Sequence, residues 1–361
     1  MMHRVRVLLD TTFALRGHTG TGVYLAHLVP ALEQLGIEVV EARQEARRAP
    51  GRGGIGSAVN LATDLQWGNV ELPRRARAVG ADVLHHPLPA GAFAGAVPQV
   101  VTVHDLAFVH FPEAFDARFR RYALVAHRAA ARRAAVVIAV SQATADDVHS
   151  RWGVPSERIV VARHGPGQEP EARRRRAAVP RHFLYVGDDE PRKNLGLLLG
   201  GYARYRSALR AARATGQEPP APLPLVLAGT ASAAGVEGVE VVSKPDAEQL
   251  AELYAGAAAL VHPSLHEGFG LTPLEAMSAG APVVAAHGAA VLEVCGDAAL
   301  YVDARDADAL AERLTALAGD AELRRDRTER GRRRAAAFSW ARSARAHADA
   351  YALAIAREGR T

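Results

Sequence analysis

The sequence predicts an α/β protein with parallel sheets in two domains. Short apolar runs of strand length alternate with segments of helical spacing along nearly the whole chain. That is the rhythm of βαβ units, whose strands are buried on both faces and so lack polar alternation. The rhythm breaks once, at EPEARRRRAAVP, a polar stretch with four consecutive arginines that reads as a linker over 169–180. The length of 361 residues suits about two domains.

In the first half, VRVLLD (5–10) is a buried strand and TTFALRGHTGTG the turn after it. VYLAHLVPALEQLG then places Val23, Leu25, Leu28, Leu32 and Leu35 at helical spacing, with Gly36 as the stop. IEVVEA completes a βαβ start with Gly20 and Gly22 at the turn. A dinucleotide-binding unit would look similar, with Glu41 as the ribose carboxylate. The third glycine is absent, however, since Val23, Tyr24 and Leu25 follow Gly22. The pair instead suits a loop that approaches some ligand closely. Residues 43–70, polar and rich in Arg and Gly, read as a long excursion or flap. LPRRARAVG (72–80) is a short helix, and ADVLHHP a strand ending at His85-His86. Neighbours on a strand face opposite sides, so this pair does not converge on a metal and reads as structural.

QVVTV is the next buried strand, with His104-Asp105 at its carboxyl end, where ligands of open α/β sheets bind. Two readings of His104 stay open there. It can donate to a developing negative charge or orient a hydroxyl, or it can close the strand locally beside Asp105. FRRYALVAHRAAARRA (119–134) is an amphipathic helix, AVVIAVS a strand ending at Ser141, QATADDVHSRWG a helix, and ERIVVARHGPG the last strand of this half.

The second half restarts with RHFLYVGDDEPRKNLGLLLGGYARY, which gives strand, turn and helix with Gly187 at the turn and Asn194 as a candidate N-cap. Arg192 and Lys193 stand just before that helix, in a loop stiffened by Pro191. Two cations beside a helix N-terminus make an anion site. PLPLVLAG (222–229) and VEVVS (239–243) are strands, and DAEQLAELYAGA is a helix.

HPSLHEGFGLTPLEAMSAGAP (262–282) carries the densest signal. It reads as strand, glycine turn and helix start. Thr272 suits the N-cap, Pro273 N1 and Glu275 N3, which together spell a capping box; Gly280 fits the C-terminus and Pro282 blocks continuation. Glu267 and Glu275 flank the loop Gly268-Phe269-Gly270. Amides at such a turn hold phosphate, and ionised glutamates accept sugar hydroxyls well. On these residues alone, Glu275 as a helix cap and Glu267 as a solvated loop charge account for the pattern equally well. PVVAA is the following strand, with Glu293 starting off the next loop, and DADALAERLTALA, ELRRDRTERGRRRAAAF and SWARSARAHADAYALAIARE are helices.

Composition is that of a globular protein, 49% hydrophobic and 23% charged. A formal net charge of +5 favours an anionic ligand or surface. The single Cys295 excludes an intrachain disulfide framework and fits a reducing cytosol. The N-terminal apolar run is too short for a signal peptide and is interrupted by Asp10. No run approaches the ~18 apolar residues of a membrane span. A cytoplasmic protein is expected, with peripheral contact at the inner face of the plasma membrane left open. No aromatic-studded basic stretch is present, so nucleic acid is not an expected partner.

Taken together, several ordered motifs resemble glycosyltransferase family 4. They are Gly20-Thr21-Gly22 after the first strand, His104-Asp105, Val140-Ser141, GDDEPRKNL, EGFGLTPLEAMSAGAPVV, VLEVCGDAALYVD and the terminal SWARSARAHADAY. The HD and PRKN variants are similar to bacterial mannosyltransferase-like members of surface polysaccharide pathways. The resemblance implies the GT-B fold, two Rossmann-like domains with parallel sheets facing a central cleft. On that pattern residues 1–168 form an acceptor-binding domain, 169–180 a linker, 181–338 a nucleotide-sugar-binding domain, and 339–361 a terminal helix crossing back to the first.

The resemblance further implies retaining transfer of a sugar from a nucleotide-sugar donor without an essential metal or other cofactor. GDP-mannose is the first expectation, with UDP- or dTDP-sugars behind it. The acceptor is a saccharide, a lipid-linked sugar or a small molecule. Carried over by position, Arg192 and Lys193 neutralise the leaving pyrophosphate and Glu267 faces the donor sugar. The turn at Gly187 lies at the donor, and the amides from Gly268, Phe269, Gly270 and Leu271 to Thr272 hold sugar and phosphate. Glu275 accepts from the ribose, His104 lies near the reacting sugar on the acceptor side, and Gly20 and Gly22 let a loop approach the phosphates.

Three departures stand out. Asp188, rather than the common Arg, follows Gly187; Ser243-Lys244-Pro245 replaces a glycine loop, with Lys244 placed to touch the nucleotide; and His287-Gly288 replaces small hydroxyl residues. Asp306-Ala307-Asp308 matches the metal-binding DxD of another glycosyltransferase fold, but it opens a polar helix and is better explained as an N-cap. Two other classes compete: a non-catalytic nucleotide-sugar or nucleic-acid binder, and an NAD-dependent oxidoreductase. Phosphorylase-like chemistry would need a cofactor lysine for which the sequence offers no candidate.

Overall fold

The computed structural model describes residues 4–12, 19–44, 63–89, 95, 97–167, 179–230, 233 and 235–359. The arginine run and most of the expected linker and flap lie outside them. The chain divides into two compact units, Met1–Gly165 with Ser339–Thr361, and Pro166–Phe338. Each contains one six-stranded sheet, and every pairing in both is parallel.

In the first unit β1 (Arg6–Asp10), β2 (Glu38–Ala42), β3 (Val83–His86), β4 (Gln99–Val103), β5 (Val136–Ala139) and β6 (Ile159–Val161) lie in the order β2-β1-β3-β4-β5-β6. The inner strands β1, β3, β4 and β5 are buried on both faces, as their apolar runs require, while the edge strands β2 and β6 are part-exposed. Val7 and Leu9 pack with Tyr24, Leu28 and Tyr351, while Leu8 faces the other way onto Trp67, Leu72 and Leu84. Each such buried leucine contributes about 2 kcal/mol. Trp67 is a correction to the flap reading. Residues 63–71 are helical, and its indole Nε1 donates to Asp10 Oδ2 at 3.2 Å.

The terminal helix Trp340–Glu358, capped by Ser339, is stitched to this sheet by a buried polar chain. His347 Nδ1 donates to Ser343 O at 2.7 Å, so its Nε2 accepts from Tyr24 Oη at 2.8 Å. Thr102 Oγ1 lies 3.1 Å from Tyr24 Oη and 2.8 Å from His85 Nε2, and His85 Nδ1 lies 2.8 Å from Tyr351 Oη. One proton direction satisfies every link with both histidines neutral. Burial agrees: it holds His347 down at about 4 and His85 well below the usual range. His86 points elsewhere, to Gln99 Oε1 at 3.2 Å. The adjacent pair is therefore structural.

In the second unit β7 (His182–Gly187), β8 (Leu225–Gly229), β9 (Val239–Ser243), β10 (Ala257–His262), β11 (Val283–Ala286) and β12 (Leu300–Val302) lie in the order β12-β11-β10-β7-β8-β9. The chain runs outward from β7 to β9, then restarts at β10 on the other side of β7. The β7/β10 boundary is thus a topological switch point, where the strand-end loops diverge and leave a crevice. Gly229 is required at its neighbour's end. Its φ is +129°, and a Cβ there would stand 2.4 Å from the Gly187 carbonyl oxygen. One local expectation changes and another holds. Glu293 lies within the helix Ala289–Cys295 rather than in a loop, whereas Asp306 does cap its helix, accepting from Asp308 N and Ala309 N. Cys295 is buried and free, its thiol pushed up to about 12 by burial.

Candidate active site

The chain leaves β7 through Gly187 and enters a 3-10 turn, Pro191–Lys193. It leaves β10 through Pro263 into the glycine loop. Because β7 and β10 are adjacent and parallel, both loops emerge at one edge. They are tied together, since Leu265 N donates to Arg192 O at 2.8 Å. Asn194 fastens the same junction, its Nδ2 donating to Ala304 O at 2.9 Å and Pro263 O at 3.3 Å. It occupies the N-cap position at φ 54° without a side-chain cap bond. Tertiary acceptors have replaced the local capping role expected of it.

This junction brings Arg192, Lys193 and Glu267 together. Lys193 Nζ lies 2.7 Å from Glu267 Oε1, and an Arg192 guanidinium NH lies 3.2 Å from Oε2. Arg192 Nε also meets Glu190 Oε2 at 2.8 Å. Burial alone would raise the Glu267 carboxyl, but Lys193, then His262 and Arg192, hold it well below the usual carboxylate range. Glu267 is therefore ionised, and it is not a solvated loop charge. His262, the last residue of β10, places Nε2 3.3 Å from Glu267 Oε1, off the line of a good hydrogen bond. Burial lowers its pKa, against the pull of Glu267.

The glycine loop turns into the helix Leu271–Ala279 through Gly270 at φ +111°. This corrects the capping box. The helix starts at Leu271, so Thr272 is inside its first turn and Glu275 lies beyond reach of the N-cap. Gly270 can take the left-handed turn directly, and Pro273 is tolerated because first-turn N–H groups have no intrahelical partner. Leu271 and Thr272 present first-turn amides; Pro273 has none. Phe269 is buried edge-on against Phe338, with ring centroids 6.0 Å apart, which anchors the loop between Gly268 and Gly270.

Glu275 faces inward instead of capping. Its Oε2 accepts from Tyr254 Oη at 2.9 Å. Burial raises its carboxyl to about 7, opposed by the bonds from Tyr254 and the Gly167 backbone. Lys244, beyond β9, holds φ 48°, the left-handed conformation a glycine would take without strain. Asp188 Oδ1 accepts from the Thr230 hydroxyl.

The remaining predicted residues belong to the first unit. Gly20 and Gly22 stand in the first turn of the helix Gly20–Gln34, which starts before Val23, with Thr19 Oγ1 accepting from Gly22 N at 3.2 Å. Among the described residues, no atom beyond its own helix backbone and chain neighbours lies within 4 Å of where a Gly20 Cβ would stand. His104 follows β4, half-buried, and its Nε2 donates to Pro87 O at 3.0 Å, which leaves Nδ1 as the acceptor. Burial lowers its pKa. Asp105 accepts from Ala107 N at 2.9 Å and serves the next turn.

Sequence reasoning missed His262 and Tyr254. His262 ends a central strand beside the switch point, a usable signal; no spacing links Tyr254 to Glu275.

Residues 18–167 match the description "Glycosyltransferase Family 4", and residues 171–334 match "Glycosyl transferases group 1". O-antigen chain mannosyltransferase B of Escherichia coli is 31% identical over 271 residues, covering 70% of each chain. Among solved structures, sucrose-phosphate synthase from Thermosynechococcus elongatus superposes with a TM-score of 0.72 at 20% identity, covering 98% of this chain and 100% of that one. Anabaena Alr3699/HepE in complex with UDP and glucose gives a TM-score of 0.66 at 18% identity over 96% of this chain and 99% of that one. The chain belongs to glycosyltransferase family 4 and is a glycosyltransferase enzyme with the two-domain α/β GT-B fold.

Proposed function

We propose that the enzyme moves a mannose from GDP-mannose to a saccharide or lipid-linked acceptor with retention of configuration and without an essential metal. The observation that carries this reading is the convergence of Lys193, Arg192 and Glu267 at the β7/β10 switch point, beside the start of the helix Leu271–Ala279. The leaving group is an anionic nucleoside diphosphate, so the main demand is charge stabilisation at the departing phosphate oxygen. Lys193, Arg192 and the amides of Leu271 and Thr272 meet that demand. Glu267 receives donor sugar hydroxyls, and Glu275, near neutral pH on burial, receives the ribose.

The glycosyl C1–O(phosphate) bond breaks as the acceptor oxygen bonds C1 on the same face. The acceptor proton passes to the departing phosphate oxygen, so neither glutamate acts as the acid or base of a glycosidase pair. His104, with Nδ1 as acceptor, is assigned to the acceptor side, and Gly20 and Gly22 to the approach of a loop to the donor phosphates. Mannose rests on the name of the Escherichia coli relative. UDP, named for the Anabaena structure, is the competing nucleotide.

A thermal-shift panel of GDP, UDP and dTDP tests the donor. Stabilisation by GDP above the others, rising with concentration as mass action requires, is the expected result. Stabilisation by UDP alone would overturn the GDP assignment.

A further inference from the structure

Glu267 is enclosed by nitrogen on three sides: Lys193 Nζ at 2.7 Å, an Arg192 guanidinium NH at 3.2 Å and His262 Nε2 at 3.3 Å. In this state the site has no cationic charge to spare. Arg192 and Lys193 are matched by Glu190 and Glu267, and Glu267, Asp188 and Asp189 all act as negative charges on nearby Tyr185. A nucleoside diphosphate entering here brings at least two more negative charges, and uncompensated charge in a part-buried site is costly. For Lys193 and Arg192 to meet the phosphate they must turn at least partly away from Glu267, which then loses part of its compensating charge.

One group can respond. The His262 side chain is 3% exposed, and its Nε2 lies 3.3 Å from Glu267 Oε1, close enough for an ion pair once the ring is protonated. The charged groups that face it are Glu267 on its own loop, and Lys193 and Arg192 on the turn after β7. On the other side β11 places Ala285 opposite it, which does not titrate. Resting on the donor-site reading above, we propose that binding of the nucleoside diphosphate draws a proton from solution onto His262, whose imidazolium then holds Glu267 in place of Lys193 and Arg192. His262 is thus a positioning residue for Glu267. The direction is consistent, because the two cations are what oppose a charge on His262, and the phosphate takes them away.

The test is calorimetric titration of the full-length protein with GDP, and with UDP, at pH 7.5 in buffers of different ionisation enthalpy. The wild type is expected to take up close to one proton per nucleotide, ~1 by linkage. His262→Gln is expected to bind still, within about tenfold, with most of that uptake lost; His262→Asn is the second variant should Gln not fold. Glu275 gives the opposite sign, since ribose hydroxyls favour its ionised form and release a proton, so the difference between wild type and variant at one pH isolates His262. Uptake unchanged in the variant, or none in the wild type, would overturn the inference while leaving the donor site standing. Absence of binding by both nucleotides would overturn the donor-site reading, and this inference with it.

Discussion

At the scale of single residues, the chemistry depends on where each carboxylate finds its partners. Glu267 and Glu275 look alike in sequence but sit in opposite environments, one held ionised by Lys193 and the other raised to about 7 by burial. The capping-box pattern at Thr272, Pro273 and Glu275 was misleading because it is a local rule. The turn at Gly270 and the hydroxyl of Tyr254 decide otherwise, and both act through the fold. Tyr254→Phe removes the hydroxyl donor and leaves the ring. A buried hydrogen bond of this kind is worth about 1 kcal/mol, so the melting temperature should fall by a few degrees. The nucleotide KM should rise about threefold to tenfold with kcat little changed, since ribose contacts are the same in ground and transition states. A fall in kcat at constant KM would contradict the binding role of Glu275.

At the scale of elements, the strands were legible because buried parallel strands write themselves as unbroken apolar runs, as in VRVLLD and AALVH. Helix starts were less so. The first-half helix begins at Gly20 rather than Val23, and the second-half one at Leu271, since glycines that look like turn residues serve as first-turn or cap residues. The terminal helix was visible by its spacing, but the use of its His347 was not. That residue meets Tyr24 across the unit, and Tyr24 and His85 both meet Thr102. This seam carries a pH dependence. His104 and His164 flank its Tyr24, each with ring centroid 5.1 Å away, and His347, His85, His104 and His164 all have pKa values lowered by burial. The unfolded chain therefore takes up protons below about 6.5 that the folded chain refuses, and stability falls as pH falls through that value. His347, held at about 4, accounts for roughly 2 kcal/mol of this by pH 5 and roughly 3 kcal/mol below pH 4. Glu275 has the opposite sign, but it is one group against four. The melting temperature should drop steadily from pH 7 to pH 5, and less steeply in His347→Gln. A flat or rising profile would contradict a neutral histidine seam.

At the scale of the whole molecule, the two-part α/β organisation follows from a repeated rhythm with one interruption, and the sequence displays both. The site does not follow so directly. Arg192-Lys193 and Glu267 are about seventy-five residues apart, and only the strand order β10-β7 makes them neighbours. The motif pattern singled out these residues by resemblance; what brings them together physically is the switch point. The cations expected to meet the pyrophosphate already hold Glu267, so on the donor-site reading proposed above donor binding exchanges one anion for another.

The central claim, that this exchange at Lys193 and Glu267 supports glycosyl transfer, is tested most directly by assaying transfer from GDP-mannose by wild type, Lys193→Ala and Glu267→Ala, with circular dichroism as the check on folding. Loss of an electrostatic stabiliser of the leaving group costs about 100-fold to 1,000-fold in kcat, which is expected for Lys193→Ala; Glu267→Ala, which removes the acceptor for the donor sugar hydroxyls, is expected to lose transfer with the fold intact. Full transfer activity in both would contradict the account.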